Sequence, residues 1–283
     1  MNGFKETGAK AIFMLAACVS ILSVALICVF LFANGIPGMT EIGVLKFLTG
    51  TTWKPGNNIF GIFPMILGSI YVTAGALILG VPIGIITAIF MSRFASGRIV
   101  KYLNQAVALL AGIPSVVYGF FGLVVIVPLI RDIFGGSGTS MLAASIILGI
   151  MILPTIISIS VPALNAVPQS YYEGALALGS THERAVFRII LPAAKSGVTA
   201  AVVLGVGRAI GEAMAVMMVA GNQARMPKGL FQGVRTLTSN IVMEMGYAAD
   251  LHREALIATA VVLFVFILII NLLFSALKRR TAV

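Results

Sequence analysis

Apolar runs long enough to cross a bilayer recur six times along the chain, at roughly 11–33, 62–90, 106–130, 140–164, 197–220 and 255–277. Each is near the ~20 residues that a hydrocarbon core requires of a helix. The pattern predicts an all-α membrane protein of six transmembrane helices. The first run follows Lys5 and Lys10, as a secretory leader would, but it is too long for a leader's apolar region and lacks a small-x-small cleavage site. It is expected to be retained. Two units follow: residues 1–61, the first transmembrane helix and an outer loop, and residues 62–283, the core.

Composition agrees. Of 283 residues only 10% are charged and 59% are hydrophobic, with a mean hydropathy of +1.08, whereas soluble domains are about 25% charged. Alternating sides along the chain groups residues 1–10, 91–105, 165–196 and 278–283. This side carries Lys5, Lys10, Arg93, Arg98, Lys101, Arg184, Arg188, Lys195, Lys278, Arg279 and Arg280, eleven of the nineteen basic residues. By the positive-inside rule both termini are expected in the cytoplasm. The net charge of +10 then needs no nucleic acid, because these flanks face anionic lipid headgroups.

Cysteine and histidine chemistry is sparse. Cys18 and Cys28 lie ten residues apart on the first helix, about 15 Å, which is too far for a disulfide; they read as small apolar fillers. His182 and His252 are isolated, so no metal site and no catalytic group is expected.

Glycine and proline interrupt the middle spans. In "AGIPSVVYGFFG", residues 111–122, Gly112-Ile113-Pro114-Ser115 is the best candidate for a broken segment, with Ser115 and Tyr118 positioned to line a pathway. Pro154 and Pro162 fall in the fourth span. On the outer side, Trp53 suits a membrane interface, and "TLTSNIVMEMGYAAD" reads as a short surface helix. Asp250 and Glu254 then place acid at the start of the last helix, where it complements the dipole.

The fifth span, "GRAIGEAMAVMMVAGN" at 207–222, contains Arg208 and Glu212. Four residues apart on one helix, they share a face and can pair. A charge at the centre of a membrane helix costs about 2.5–3.5 kcal/mol on insertion scales, so Glu212 has a structural reason to neutralise Arg208. Two apolar residues would avoid that cost altogether, which favours a functional role. The guanidinium fork matches a tetrahedral oxyanion, and a transient anion site is expected.

The segment between the fourth and fifth spans is "VPQSYYEGALALGSTHERAVFRIILPAA", residues 167–194. Pro168 suits a first helical turn, Gly179 a C′ position with positive φ, and Ser180 with Glu183 a capping box. Pro192 marks a break. The expectation is a compact helix-turn-helix in which Ala175, Leu176, Leu178, Ala185, Val186 and Phe187 can pack.

This segment resembles the EAA loop of importer-type ABC permeases. Glu173, Gly174 and Ala175, then Gly179, then Ile189, Leu191 and Pro192 match that loop's spacing, with Gly174 where alanine is usual. The resemblance implies the type I importer permease fold, the MetI-like arrangement, and a loop that couples to a separate ATPase. Consistently, no G-x-x-x-x-G-K-[ST] phosphate loop occurs. Within the family, "GRAIGEAMAVMMVAGN", "AGIPSVVYGFFGL" and "RTLTSNIVMEMG" are similar to PstC-type permeases of the phosphate-specific importer. That resemblance implies inorganic phosphate as cargo, a PstA-type second permease, a PstB-type ATPase homodimer using ATP and Mg, and an extracytoplasmic PstS-type phosphate-binding protein. It also implies a bacterial or archaeal cytoplasmic (inner) membrane, and no cofactor bound by this chain. Arg208 and Glu212 match positions thought important for transport, either contacting phosphate or locking conformations. Another oxyanion as cargo, or an ion-coupled secondary carrier with Glu212 in a proton relay, are the alternatives.

Overall fold

The computed structural model describes residues 2–280, with side chains from residue 9 onward except at 274–275 and 277–280. The side chains of Lys5, Lys278, Arg279 and Arg280, counted in the basic flanks above, lie outside the described ones.

Among the described residues, five helical segments are long and apolar enough to span a membrane, and a pair bent by 70° makes a sixth if it is one span. In chain order, α1 (Asn2–Ile42) and α2 (Val44–Thr49) lead to a hairpin of β1 (Trp53–Lys54) and β2 (Ile59–Phe60), paired antiparallel with Trp53 opposite Phe60. The second span, α3 (Phe63–Ile89), ends in a π turn at Phe90–Phe94. Next come α4 (Gly97–Gly112), α5 (Ser115–Phe121), a π turn at Gly122–Ile126 and α6 (Val127–Phe134). The fourth span is α7 (Met141–Asn165), followed by α8 (Gln169–Ala177), α9 (His182–Ala185) and α10 (Leu191–Ala193). Last come α11 (Lys195–Gly211), α12 (Met214–Val219), α13 (Leu237–Glu244) and α14 (Asp250–Arg280).

α3 and α7 form the centre. They approach closely because small residues face each other: a Cβ on Gly80 would sit 2.7 Å from the Gly149 carbonyl oxygen. Where lipid is as apolar as the side chains, association depends on such close packing. Val72 and Ala76 of α3, Ile147, Met151 and Ile152 of α7, and Val216 and Val219 of α12 make one buried cluster. A second, around Phe47, Phe60, Met65 and Leu256, lies at the hairpin end. A third, around Ile89, Leu164, Val186 and Ile190, lies at the opposite end, beside the α8–α9 loop. α3 links the two ends, and its 27 residues span about 40 Å.

The first and third spans differ from the hydropathy reading. α1 runs on to Ile42 rather than ending at 33, because Gly38 lets it pack directly against Glu254 of α14. The third run divides at Ile113 and Pro114, both extended, into amphipathic α4 and a separate span, Ser115–Phe134. Proline at the N-cap explains the break, since the residue before it is driven out of helical geometry. Pro154 and Pro162, by contrast, lie inside an uninterrupted α7. Cys18 is exposed and Cys28 half-buried on α1, and both are free.

The N-terminus of α7 shows how freed backbone groups are satisfied. Ser140 Oγ accepts from Ala143 N–H, and the Met141 and Leu142 amides donate to Gln232 and Leu230 carbonyls. The chain after α12 thereby folds back as a lid over α7.

Gly80→Ala places a methyl against the Gly149 backbone, which cannot rotate away. A destabilisation of about 1–3 kcal/mol is expected, read as a lowered thermal midpoint in detergent; an unchanged midpoint would contradict this packing.

Candidate functional site

The fifth span is broken where the charges sit. α11 ends at Gly211, Glu212 is extended (φ −72°, ψ 126°), and α12 begins at Met214. Seventeen residues of α11 put the break about 25 Å from the start of that helix. A continuous helix would bring Arg208 and Glu212 onto one face; the extended residue turns them apart. No ion pair joins them among the described residues.

Glu212 instead serves the break. Its Oε1 accepts from the Ala215 N–H in the first turn of α12, at 3.1 Å. Its carbonyl accepts from Thr238 Oγ1, at 2.9 Å. Backbone broken at membrane depth is tolerated only where protein re-satisfies it, and these two bonds do so. Ser69, Thr73, Thr236 and Thr238 line a small cavity beside Glu212, so its surroundings are hydroxyl-rich rather than cationic.

Arg208 is exposed on α11, free of an acid partner among the described residues. Tyr118 of α5 is buried, and its hydroxyl donates to the Leu110 carbonyl at 2.8 Å. That bond ties α5 back to α4 across the Ile113–Pro114 break, so the hydroxyl is a brace for the break more than a free lining group. Ser115, half-buried, opens α5. The structure therefore commits Tyr118 to Leu110 and Glu212 to Ala215, and leaves Arg208 apart from Glu212.

The α8–α9 loop is a closed motif. Gly179 has φ +81°, its N–H donates to Leu176 and the Ser180 N–H to Ala175, the paired bonds of a Schellman C-cap. Pro168 is the N-cap of α8 rather than inside it. The cap of α9 is Thr181, not Ser180: its Oγ1 accepts from Arg184 N–H, at 3.4 Å. Glu183 is exposed, and its own backbone N–H and the Thr181 hydroxyl hold its carboxyl below the ordinary range. The break falls at Ala194, two residues past Pro192, after a π turn at Val186–Ile190. Ala175, Ala185 and Val186 are buried as expected, but Leu176, Leu178 and Phe187 are not; Leu178 is 91% exposed. Glu173 and Gly174 are exposed and Ile189 and Leu191 half-buried. His182 is not isolated: Nδ1 lies 2.8 Å from the Tyr172 hydroxyl, and its ring meets Phe94 at the end of the second span.

The hairpin end holds a group that sequence reading missed. Glu244, 5% exposed at the end of α13, pairs with Arg235 Nη1 at 2.6 Å. It also accepts from Trp53 Nε1 and meets His252 Nε2, both at 2.8 Å. Trp53 is thus buried against protein, and α13 is a largely buried helix rather than a surface one. "RTLTSNIVMEMG" spaces Arg235 and Glu244 nine apart, which matches neither helix nor strand periodicity; only the loop geometry before α13 joins them.

Comparison with known proteins places these features. Residues 80–283 match the family described as "Binding-protein-dependent transport system inner membrane component". A Bacillus subtilis protein named "Probable ABC transporter permease protein YqgH" is 41% identical over 95% of this chain and 89% of its own. The "Phosphate transport system permease protein PstC" of Mesorhizobium japonicum is 33% identical over 86% and 81%. Among solved structures, a chain of a bacterial alginate ABC transporter superposes with TM-score 0.64 at 16% identity, covering 94% of each chain. A chain of the MetNI methionine transporter superposes with TM-score 0.58 at 19% identity, over 78% and 94%. The fold is the MetI-like importer permease fold that the loop resemblance implied.

If Arg208 and Glu212 act separately, their effects on stability add. In a cycle of Arg208→Gln and Glu212→Gln the coupling is expected below about 0.5 kcal/mol. A coupling well above that in thermal unfolding would mean that the two charges pair after all.

Proposed function

The chain belongs to the binding-protein-dependent transport system inner membrane component family, as a multi-pass permease subunit of an ABC importer, and from that premise we propose that its cargo is phosphate. The observation that carries the proposal is Arg208, an exposed guanidinium inside a membrane span with no acid on it among the described residues. Such a charge is costly in lipid but not against a water-filled passage shared with a second subunit. Its fork of donors suits a tetrahedral oxyanion. The names of PstC relatives support phosphate among oxyanions; the YqgH name specifies no substrate.

On this reading a second, PstA-type permease completes the passage, and a PstS-type protein delivers phosphate at the hairpin end. A PstB-type ATPase pair, using ATP and Mg, lies below the α8–α9 loop. Exposed Leu176, Leu178 and Phe187 would be wasteful in water and suit a groove on that ATPase. Glu173, Gly174, Ala175 and Gly179 shape the docking turn; Ile189, Leu191 and Pro192 carry its motion to α11 across the 70° bend. The loop end, and with it both termini, then faces the cytoplasm. ATP binding and hydrolysis alternate the passage between its two openings. Arg208 holds the anion weakly, because passage needs release as well as entry. Ser115 and Tyr118 shape the wall opposite, and Glu212 keeps the broken helix in the form that presents Arg208.

Two substitutions test this. Arg208→Gln in the reconstituted complex is expected to lower labelled-phosphate uptake by about 10- to 100-fold, the loss that follows from removing a charged hydrogen-bonding partner. Normal uptake, or uptake blocked better by sulfate or molybdate than by unlabelled phosphate, would overturn the phosphate site. Gly179→Pro cannot adopt φ +81° because proline is fixed near −65°. It is expected to abolish ATPase association in pull-down while the permease still inserts; retained association would rule out the docking role.

A further inference from the structure

α13 is held at both ends by buried polar bonds. At its start, Thr238 Oγ1 donates to the Glu212 carbonyl and Leu237 N–H donates to Ser69 Oγ, both at 2.9 Å. At its finish, Glu244 gathers Trp53 of the hairpin, His252 of α14 and Arg235. An apolar contact between helices can slide; a buried hydrogen bond has one geometry, and breaking it leaves an unsatisfied group. The eight residues of α13, about 12 Å long, therefore join the hairpin end rigidly to the break in the fifth span. That break lies one turn from Arg208. Glu244 and His252 are reached from outside through an open cavity of about 660 Å³, bordered by Pro55, Tyr247 and Asp250.

We propose that α13 is a strut that delivers movement of the hairpin end to the Glu212 break, so that Thr238 and Glu244 are positioning residues for anion passage. The proposal rests on the importer reading, in which an external phosphate-binding protein engages the hairpin end. Engagement shifts the hairpin and the start of α14, Glu244 carries the shift into α13, and Thr238 transfers it to the Glu212 carbonyl. The extended residue there joins α11 to α12, so a shift at it changes the direction of the chain beside Arg208, and hence where Arg208 points. Thr238 touches no anion; it acts through Glu212.

The test uses the complete complex in proteoliposomes, with ATP hydrolysis measured without and with phosphate-loaded binding protein, and labelled-phosphate uptake alongside. Thr238→Val removes the hydroxyl and keeps the shape. It is expected to lower the stimulated hydrolysis and the uptake on the order of tenfold, a typical coupling between sites, while unstimulated hydrolysis persists. Thr238→Ser restores both, which a mere packing role would not predict. Trp53→Phe removes one donor from Glu244 at the far end and is expected to act in the same direction; should Thr238→Val fail to assemble, it carries the same expectation. The double variant is expected to be no worse than Thr238→Val alone, because the two lie in series. Stimulation unchanged in Thr238→Val, or losses that multiply in the double variant, would overturn the strut. A wild-type complex that neither responds to loaded binding protein nor takes up phosphate would overturn the importer reading and the strut with it.

Discussion

A hydrocarbon solvent offers no hydrogen bonds, so every backbone group freed within a membrane must find a partner in the protein. That constraint governs the fifth span. Once the helix stops at Gly211, the extended backbone at Glu212 turns its side chain from Arg208 toward the start of α12. Its carboxylate goes to Ala215 and its carbonyl to Thr238. The same requirement recurs at the start of α7, covered by the chain that follows α12, and at the Ile113–Pro114 break, braced by Tyr118. The breaks in this bundle are maintained features, each with its own bonds.

The consequence is a division of labour that a continuous helix would forbid. Arg208 is left with its donors open on an exposed face, and the acid four residues away is spent on geometry. Had the two paired, the guanidinium would be neutralised, and the oxyanion of the proposed passage would have to displace a carboxylate held by a strong charge-assisted bond. At the hairpin end the balance is reversed. Arg235 and Glu244 do pair, in a buried network with Trp53 and His252, which suits a structural anchor and not a passage.

Much of this was legible in the chain. Apolar runs located the spans, because a bilayer imposes length and polarity with little interference from tertiary detail. Gly112-Ile113-Pro114 announced its break through proline sterics, and Gly179 its turn through positive φ. The interruption at Glu212 was not legible, since neither glycine nor proline stands at 212 or 213 and one of its stabilising bonds comes from Thr238, 26 residues on. Nor was the burial of Trp53 and α13, because a tryptophan at a lipid surface and one bonded to a buried carboxylate look alike in one dimension. In the α8–α9 loop, Leu176, Leu178 and Phe187 were read as packing residues from hydrophobicity alone. The structure leaves them exposed, as an interface outside this chain would.

The central claim is that the fifth span stays broken at Glu212 to leave Arg208 free for the anion. A cryo-EM structure of the assembled complex with phosphate would test it most directly. The account predicts an extended Glu212 with its carboxylate on the Ala215 N–H, and phosphate density beside the Arg208 guanidinium. A continuous helix with Arg208 and Glu212 in an ion pair, and phosphate elsewhere, would contradict it.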